Sequence, residues 1–418
     1  MAEKLTPPGR KNPQLRTRVP TPPPMLRSRA ALGFSARAAA GRFMLQSCSE
    51  CQHVSWPPRD ICPKCWSHEF VWKDMPEQGE FLAETVLHTS TNVYFKDRMP
   101  WRIGTIKLAT GVPVLAHIHQ DLQEGDQVKL IARTDKSGQG VIMAMPLKET
   151  ANMQDDKQFR ELSCDPKYRR VLVTDVRHEV GQSAVHELLE AGAKIVFMGV
   201  SEGWKPFAGQ EALLALPNTE VVPLNLTEGD SVMEAAASIG HKIDILVNTA
   251  MHVRPGSPMG RKGMMTAKDE MEVNYFGLLR LLQHFGPVMR ARAADGDNSA
   301  ACWVNILSVY ALSNWPEYGT TSASQAAALS LAQSARAEFY GSGIKVLNTF
   351  TGPMEDQWYQ PVSPPKVTPQ KLAKVIVQSL QQGIEEAFIG DIANDVIKRW
   401  REDPAVLERE LTQAMESS

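Results

Sequence analysis

Four cysteines near the amino terminus constrain the fold of this chain more than any other feature. Cys48 and Cys51 form one Cys-x-x-Cys pair, and Cys62 and Cys65 form a second pair across a short loop. Two such pairs can wrap one zinc ion tetrahedrally and fill every coordination position with sulfur, which leaves no position for a reactive water. The spacing therefore predicts a structural zinc ribbon over about residues 46–70. The alternative is two disulfides or four unrelated thiols.

The remaining composition indicates a globular protein of two or three domains. The 418 residues carry a net charge of −2, and the only other cysteines are Cys164 and Cys302. This near-neutral balance argues against a general binder of nucleic acid, and no apolar run is long enough to cross a bilayer. Isolated cysteines and the lack of a signal-peptide pattern favour a reducing cytoplasm.

Residues 1–27 are basic and rich in proline, a composition that predicts a disordered leader. Arginine-rich, acid-poor segments also occur in organelle transit peptides, but prolines such as Pro22 to Pro24 would break the helix that those peptides form. Residues 28–45 are rich in alanine and predict a helix that leads into the ribbon. This helix could pack on this chain or on another protein.

Residues 78–147 alternate between apolar and polar positions, as in Val112, Val114, Ala116 and Ile118. Turn signals separate these runs, and about five short strands suit a small β-barrel of the oligonucleotide/oligosaccharide-binding (OB) class. Helix, ribbon and barrel together form one predicted domain over residues 28–147. Residues 148–167 are polar and lack periodicity, which predicts a linker.

Residues 168–418 carry short, continuously apolar runs that are separated by helix-length segments. This alternation predicts an α/β domain with a doubly wound parallel sheet. The predicted strands are residues 171–174, 193–197, 221–224, 243–247, 302–307 and 345–348.

Motifs in this second half resemble those of the short-chain dehydrogenases/reductases. Residues 171–174 stand where the first strand of that family enters the cofactor loop, and residues 244–250 resemble its Asn-Asn-Ala-Gly segment. The resemblance implies a Rossmann-like fold with Asn274 and Ser308 at the positions of the active-site asparagine and serine. It also implies a homo- or hetero-oligomer that forms through the dehydrogenase-like domain.

The catalytic tyrosine and lysine of that family are replaced here. The family places its tyrosine thirteen positions after the serine and its lysine four positions later, and those positions are Thr321 and Gln325. A threonine hydroxyl is too weak an acid for the proton transfer, and glutamine brings no charge to lower a phenol pKa of about 10. Tyr310 and Tyr318 are alternative proton donors, but neither has a lysine one helical turn further on.

The cofactor loop departs from the family pattern as well. The pattern Thr-Gly-x-x-x-Gly-x-Gly becomes Thr174-Asp175-Val-Arg-His-Glu179-Val-Gly181. The first two glycines of such a loop make a tight turn and let the backbone approach the pyrophosphate, so two carboxylates there disturb the geometry and repel phosphate. These replacements predict a catalytically degenerate domain that does not bind NAD(P). An active oxidoreductase with an atypical active site is the alternative.

Residues 42–145 resemble the family formerly called domain of unknown function 35, a rubredoxin-like zinc ribbon followed by an OB-fold barrel. The match rests on Phe43-Met-Leu-Gln-Ser-Cys48, on Trp56-Pro-Pro-Arg-Asp-Ile-Cys62 and on Trp72. Members typically dock on thiolase-like enzymes. The resemblance implies a scaffold or accessory subunit of a thiolase-superfamily complex, which shares an acyl-CoA substrate with its partner. A nucleic-acid-binding protein is the competing class, but the barrel lacks an evident run of stacking aromatics and a basic groove.

Overall fold

The computed structural model describes residues 3–9, 21–25, 28–293, 296 and 299–416. These residues form two compact units. The first unit contains the described residues up to Asp165 and two later segments, Tyr340–Lys345 and Gln381–Glu385. The second unit contains the rest of the described chain. None of the described helices combines the length and the hydrophobicity that a membrane crossing requires.

The first unit contains a small sheet and a closed five-stranded barrel. The sheet has the antiparallel order β2-β1-β3, with β1 (Met44–Cys48), β2 (Val54–Ser55) and β3 (Phe70–Asp74). The barrel runs in the order β4-β5-β6-β8-β7, with β4 (Gln78–Leu87), β5 (Trp101–Leu108), β6 (Pro113–Ile118), β7 (Gln127–Thr134) and β8 (Gly140–Pro146). The predicted architecture of a ribbon followed by a small barrel is confirmed.

Helix α1 (Arg29–Ala39) packs on this barrel. Of the two surfaces that its sequence left open, this chain or another protein, it therefore uses this chain. Its buried Phe34 and Ala38 belong to the same core as barrel residues such as Phe81. The helix ends before the predicted residue 45 because Gly41 adopts a φ of 71° and donates its N–H to the carbonyl oxygen of Ala38. The chain that follows is already strand β1.

The predicted linker over residues 148–167 has regular structure. It contains a 3₁₀ turn (Met153–Asp155) and helix α3 (Lys157–Leu162), which follows the short helix α2 (Val93–Lys96) in chain order. Phe159 and Leu162 pack against Met143 and Met145 in a second apolar cluster of the unit. Sequence periodicity missed this helix because six residues are too few to establish a helical repeat.

The predicted disordered leader makes contacts where the structure describes it. The N–H of Leu5 donates to the Asp155 carboxylate at 3.0 Å, and the Ser137 hydroxyl donates to the carbonyl oxygen of Pro23 at 2.6 Å. Residues 1–2, 10–20 and 26–27 lie outside the described residues, and so does that part of the prediction.

Lys345 joins three segments of the first unit. Its ammonium is buried and donates to the carbonyl oxygens of Thr134 and Leu162 at 2.8 Å and of Gly383 at 3.2 Å. The hydroxyl of Thr134 also donates to the buried carboxylate of Glu385. A buried ammonium requires oxygen acceptors of this kind because an uncompensated charge in a protein interior is strongly destabilising. The two later segments are therefore integral to the unit.

A partly buried carboxylate, that of Glu161 on α3, contacts three side chains of the same unit. It accepts a hydrogen bond from the Tyr94 hydroxyl at 2.7 Å and pairs with Arg98 at 3.0 Å and with Lys136 at 2.7 Å. Burial alone would raise the pKa of Glu161, but the charges of Lys136 and Arg98 and the hydrogen bonds from Lys136 and Tyr94 lower it to about 2.

We expect this carboxylate to make the first unit sensitive to acid. Because its pKa is lower in the folded state, its contribution is complete above about pH 5 and is lost progressively as the pH falls toward about 2. At neutral pH the contribution is on the order of 3 kcal/mol. Glu161→Gln should therefore be less stable than the wild type at pH 7, and the difference should shrink steadily in urea titrations at lower pH. The exposed Glu80→Gln is the control, and a difference that is independent of pH would contradict the assignment.

The second unit is built on a seven-stranded sheet of order β11-β10-β9-β12-β13-β14-β15, with parallel pairing. The strands are β9 (Arg170–Val173), β10 (Ile195–Val200), β11 (Thr219–Pro223), β12 (Ile245–Asn248), β13 (Cys302–Ser308), β14 (Lys345–Thr351) and β15 (Glu386–Ile389). All six predicted strands are present, and the predicted doubly wound α/β class is confirmed. The seventh strand, β15, has only four residues and was not predicted.

Helices connect the strands of this unit, and two more helices follow the last strand. They are α4 (Glu179–Glu190), α5 (Gln210–Leu214), α6 (Gly229–Ile239), α7 (Met265–Met271), α8 (Leu278–Ala291), α9 (Gly319–Glu338), α10 (Pro369–Gln382), α11 (Asp391–Glu402) and α12 (Pro404–Glu416). A π-helical segment, Glu272–Gly277, joins α7 to α8. Such segments are rare and often occur at functional sites.

The strand order reverses between β9 and β12, so the connections lead away from these two strands on opposite sides. Doubly wound sheets bind their ligands in the crevice outside the carboxyl ends of the strands at this switch point. Here the crevice lies between the loop that joins β9 to α4 and the loop that follows β12. The candidate site is therefore located by topology before any side chain is considered.

Asp244 lies just before β12, at the amino ends of the strands and therefore on the side of the sheet away from the crevice. Its carboxylate accepts hydrogen bonds from the backbone N–H of Arg170 at 2.8 Å and from the guanidinium of Arg170 at 2.9 and 3.0 Å. The guanidinium of Arg292, which follows α8, also donates to it. This network, in which Asp244 and Arg292 are buried and Arg170 is partly exposed, joins the start of β9, the start of β12 and the end of α8.

Candidate functional site

Two knuckles with the same backbone path bring the four predicted cysteines together. The N–H of Gln52 donates to the carbonyl oxygen of Cys48, and the N–H of Trp66 donates to that of Cys62, each at 3.0 Å. Gln52 and Trp66 have positive φ values of 59° and 66°. This left-handed conformation costs a residue with a side chain about 1–2 kcal/mol, and here it turns the chain sharply after each second cysteine.

The four sulfur atoms are spaced for one metal ion. All lie within 4.8 Å of one another, and the Cys48–Cys65 and Cys51–Cys62 sulfur pairs are 3.5 and 3.6 Å apart. Tetrahedral zinc with Zn–S bonds of about 2.3 Å needs sulfur pairs roughly 3.8 Å apart, whereas a disulfide bond is only about 2.05 Å long. The backbone N–H groups of Cys51 and Glu50 and the neighbouring thiols lower the pKa of Cys48 to about 6 against the opposing effect of burial, whereas burial and the neighbouring thiols raise the pKa of Cys65.

The donor set fits structural zinc. Four thiolates would fill the tetrahedral shell, so a bound ion would hold the two knuckles together and offer no position to a substrate. The ribbon also packs on the core of the first unit through Trp56, whose ring meets Phe34 edge-on at 4.9 Å, and through Trp72. Loss of the ion would therefore disturb the core as well as the knuckles.

The β9–α4 loop of the second unit is tied directly to the loop after β12. The N–H of Asp175 donates to the Thr249 hydroxyl at 3.0 Å, and that hydroxyl donates to the carbonyl oxygen of Asp175 at 2.7 Å. Gly181 is required because a Cβ atom there would lie 1.9 Å from the same carbonyl oxygen. The one glycine that remains of the family pattern therefore serves the packing of α4 on the loop.

Side chains of this loop take the places that suit an anion. Glu179 is exposed in the first turn of α4, where the N–H groups and the helix dipole favour a negative charge. The Asp175 carboxylate accepts the N–H of Arg177 at 2.8 Å and lies 3.9 Å from His178. Burial raises the pKa of Asp175, and the charge of His178 offsets part of this effect. The loop thus places two carboxylates, one of them hydrogen-bonded to a loop N–H, where a Rossmann loop would bind pyrophosphate.

Asn274 and Ser308, the two family positions that are kept, make hydrogen bonds within the domain. Asn274 lies in the π-helical segment and exchanges hydrogen bonds with the backbone of His252 at 2.8 Å, and it donates to Ser324 at 2.9 Å. Ser308 is the last residue of β13, and its hydroxyl accepts a hydrogen bond from the N–H of Tyr310 at 3.2 Å. Both side chains stabilise local backbone.

The two replaced positions are buried and hydrogen-bonded as well. The Thr321 hydroxyl donates a hydrogen bond to the Glu270 carboxylate at 2.6 Å, and the Gln325 side-chain oxygen accepts one from the N–H of Ser308 at 3.1 Å. Glu270 is fully buried, also accepts the N–H of Arg254, and lies 3.7 Å from Arg261. Sequence reasoning missed Glu270, since a single glutamate on a helix carries no signal of burial.

The alternative proton donors belong to an aromatic cluster. Tyr310 lies 4.8 Å from Trp315, Trp315 stacks on Tyr318 at 4.3 Å, and Tyr318 lies 5.3 Å from Tyr359. Burial raises the pKa of Tyr310 to about 12 and also raises the pKa values of Tyr318 and Tyr359. A higher pKa makes each phenol a weaker acid than an ordinary tyrosine.

A cavity of about 250 Å³ remains open beyond the carboxyl ends of β10 and β11. Its lining includes the exposed Trp204 and two carboxylates, Glu202 and Glu228. Asn225, also in the lining, donates its amide to Glu228 at 2.8 Å. The cavity could take a flat, uncharged group, whereas its carboxylates disfavour a phosphate.

The strand order and the surviving motifs define a domain of the short-chain dehydrogenase class, and the first unit supplies a zinc ribbon and a barrel. Residues 169–365 match the family model for short chain dehydrogenase. Residues 35–71 match the family model described as ChsH2, rubredoxin-like zinc ribbon domain. The chain therefore combines these two modules, as its sequence predicts.

Individual relatives match the dehydrogenase class. An uncharacterized oxidoreductase of Mycobacterium bovis is 25% identical over 240 residues, which cover 55% of this chain and 69% of that protein. A short-chain dehydrogenase of Penicillium crustosum is 27% identical over 200 residues, or 46% and 68% of the two chains. The crystal structure of a short chain dehydrogenase from Burkholderia cenocepacia in complex with NADP superposes with a TM-score of 0.51 at 26% identity, over 58% of this chain and 97% of that chain.

Proposed function

We propose that the chain is a non-catalytic accessory subunit of a thiolase-superfamily complex that acts on acyl-CoA thioesters. The observation that carries the proposal is the reorganised dehydrogenase centre, where Thr321 donates to buried Glu270 and Gln325 binds the backbone of Ser308. A centre without a sufficiently acidic proton donor cannot perform the family's hydride and proton transfer. The reactive nucleophile then belongs to the partner.

The first unit supports a docking role. A four-thiolate ribbon offers no open coordination position, and its resemblance to the family formerly called domain of unknown function 35 points to a thiolase-like partner. We also propose that the dehydrogenase-like domain mediates a homo- or hetero-oligomer and that the complex is cytoplasmic, where its cysteines stay reduced.

Affinity purification of the tagged full-length chain from its native cells tests the proposal. We expect a thiolase-superfamily protein to co-purify in near-equal amount and to be identified by mass spectrometry. The Cys62→Ser variant should lose this protein because its ribbon is disrupted, whereas the Cys302→Ser variant should retain it. Recovery of the chain alone, or of the same proteins with both variants, would contradict the docking role.

An active oxidoreductase is the second candidate, and two observations favour it. The open cavity beyond β10 and β11 has room for part of a nucleotide, and the similar Burkholderia structure is a complex with NADP. An active oxidoreductase would require a proton donor other than tyrosine. Ser308 is the candidate, because it stands at the position of the family's active-site serine.

NADPH oxidation with a 3-oxoacyl-CoA thioester separates the two candidates. We expect the purified zinc-loaded chain to consume NADPH no faster than a protein-free blank, since no phenol with a lowered pKa is available. Turnover above the blank that Ser308→Ala abolishes would favour the oxidoreductase instead. Turnover that survives Ser308→Ala would indicate a contaminating enzyme.

A further inference from the structure

Trp358 contacts both loops that border the crevice of the second unit. Its ring centroid lies 5.5 Å from that of His178, on the β9–α4 loop, and 5.2 Å from that of His252, on the loop after β12. The guanidinium of Arg254, on the same loop as His252, lies over the indole at 4.0 Å from the centroid. One side chain that is only 9% exposed thus spans the switch point of the sheet.

The backbone around Trp358 is held from several directions. The Asp356 carboxylate accepts the N–H groups of Trp358 at 2.8 Å and Tyr359 at 3.2 Å. The Tyr318 hydroxyl donates to the carbonyl oxygen of Trp358 at 3.3 Å, and the Lys366 ammonium donates to that of Tyr359 at 2.7 Å. The indole therefore keeps its position through main-chain bonds as well as through its ring contacts.

This position conflicts with a ligand at the switch point. A dinucleotide in a doubly wound sheet lies outside the carboxyl ends of the strands and passes between the two loops that Trp358 joins. A buried tryptophan covers about 150–250 Å² of surface, an area comparable to a stacked aromatic ligand, and its contact with Arg254 adds cation–π attraction. Displacing the indole would remove its contacts with both histidines and Arg254.

We propose that Trp358 is an intramolecular plug that keeps the crevice closed in place of a cofactor. This inference rests on the proposed function, in which the domain binds no NAD(P). It adds a second cause for the absence of cofactor binding, besides the two carboxylates in the sequence of the β9–α4 loop. The carboxylates of Asp175 and Glu179 disfavour the phosphates of a dinucleotide. Independently, the Trp358 indole occupies the space between the two loops through which the dinucleotide would pass. Both obstacles must be removed before the crevice opens.

Isothermal titration calorimetry with NADP+ and NAD+ tests the plug on the full-length, zinc-loaded chain. Four proteins are compared: the wild type, Asp175→Gly/Glu179→Gly, the same pair with Trp358→Ala, and the same pair with Trp358→Phe. We expect the Trp358→Ala triple variant to bind at least about tenfold more tightly than the glycine pair. The Trp358→Phe triple variant keeps an aromatic ring and should bind no better than the pair.

The outcomes separate the plug from the proposed function. Equal affinity of the glycine pair and the Trp358→Ala triple variant would overturn the plug and leave the proposed function intact. A folded triple variant that binds neither cofactor would also overturn the plug. Micromolar binding by the wild type would overturn both, because an unaltered crevice would then accept the cofactor.

Histidine NMR signals give a second test that needs no ligand. Protons close to an indole experience ring-current shifts, so the Hε1 signals of His178 and His252 should move in Trp358→Ala and move less in Trp358→Phe. Trp358→Leu is an additional variant if the alanine protein does not fold, which thermal unfolding would show. Unchanged signals in a folded Trp358→Ala protein would contradict the contacts on which the plug depends.

Discussion

Replacing Cys62 with serine is expected to abolish zinc binding and to unfold the ribbon. The side chain of Cys62 is fully buried, and its sulfur lies 3.6 Å from that of Cys51. Structural zinc sites contribute apparent binding free energies of about 10–16 kcal/mol in small peptides, so the loss of one ligand should cost at least about 3 kcal/mol here. Elemental analysis should fall from about one zinc per chain to nearly none, and the unfolding transition should move to lower temperature.

The damage should extend into the barrel, because Trp56 and Trp72 of the ribbon pack on the core that contains Phe34. A chelator should have the same effect on the wild type. Cys302→Ser is the matched control, since Cys302 is buried in β13 outside the cluster, and it should retain its zinc. Full zinc content in Cys62→Ser, or an intact mass that reveals two disulfides, would contradict the assignment.

Replacing Asp244 with alanine is expected to destabilise the second unit by about 3–5 kcal/mol. The change leaves the guanidinium groups of Arg170 and Arg292 without the carboxylate that both contact, and it removes the acceptor of the Arg170 N–H. The loss is costly chiefly because Arg292 is buried, so that its charge would lose the carboxylate that compensates it.

Urea unfolding monitored by circular dichroism measures the effect. Asp244→Asn keeps the shape and one carbonyl acceptor, so it should fall between the wild type and Asp244→Ala. Because Asp244 lies at the edge opposite the crevice, neither variant should change NADP+ binding in the Trp358→Ala triple background. A loss below about 1 kcal/mol in Asp244→Ala would show that water replaces the carboxylate.

The features that sequence predicted are those with a local period or a fixed spacing. Apolar alternation at Val112 to Ile118 revealed strand β6, and the two Cys-x-x-Cys pairs revealed the sulfur cluster. The six predicted strands of the second unit also stood out, because a buried parallel strand is a continuous apolar run. Each of these signals lies within a few residues of sequence.

The features that sequence missed depend on residues far apart in the chain. Nothing near Trp358 indicates that it meets His178 and His252, and nothing near Glu270 indicates that Thr321 will donate to it. Helix α1 was left without an assigned surface because its apolar side is short, and only the fold shows Phe34 in the barrel core. Aromatic and ionic partners of this kind are chosen by tertiary packing, which periodicity does not encode.

The carbonyl oxygens around the Lys345 ammonium set the order in which the first unit can be completed during synthesis. Residues up to Asp165 leave the ribosome first, but Lys345, Gly383 and Glu385 follow only after most of the second unit has been made. At typical elongation rates this delay lasts on the order of ten seconds or more. Until then Thr134 lacks both its ammonium and its carboxylate partner, so the first unit stays incomplete, and a fragment that ends at residue 165 would never gain these two partners.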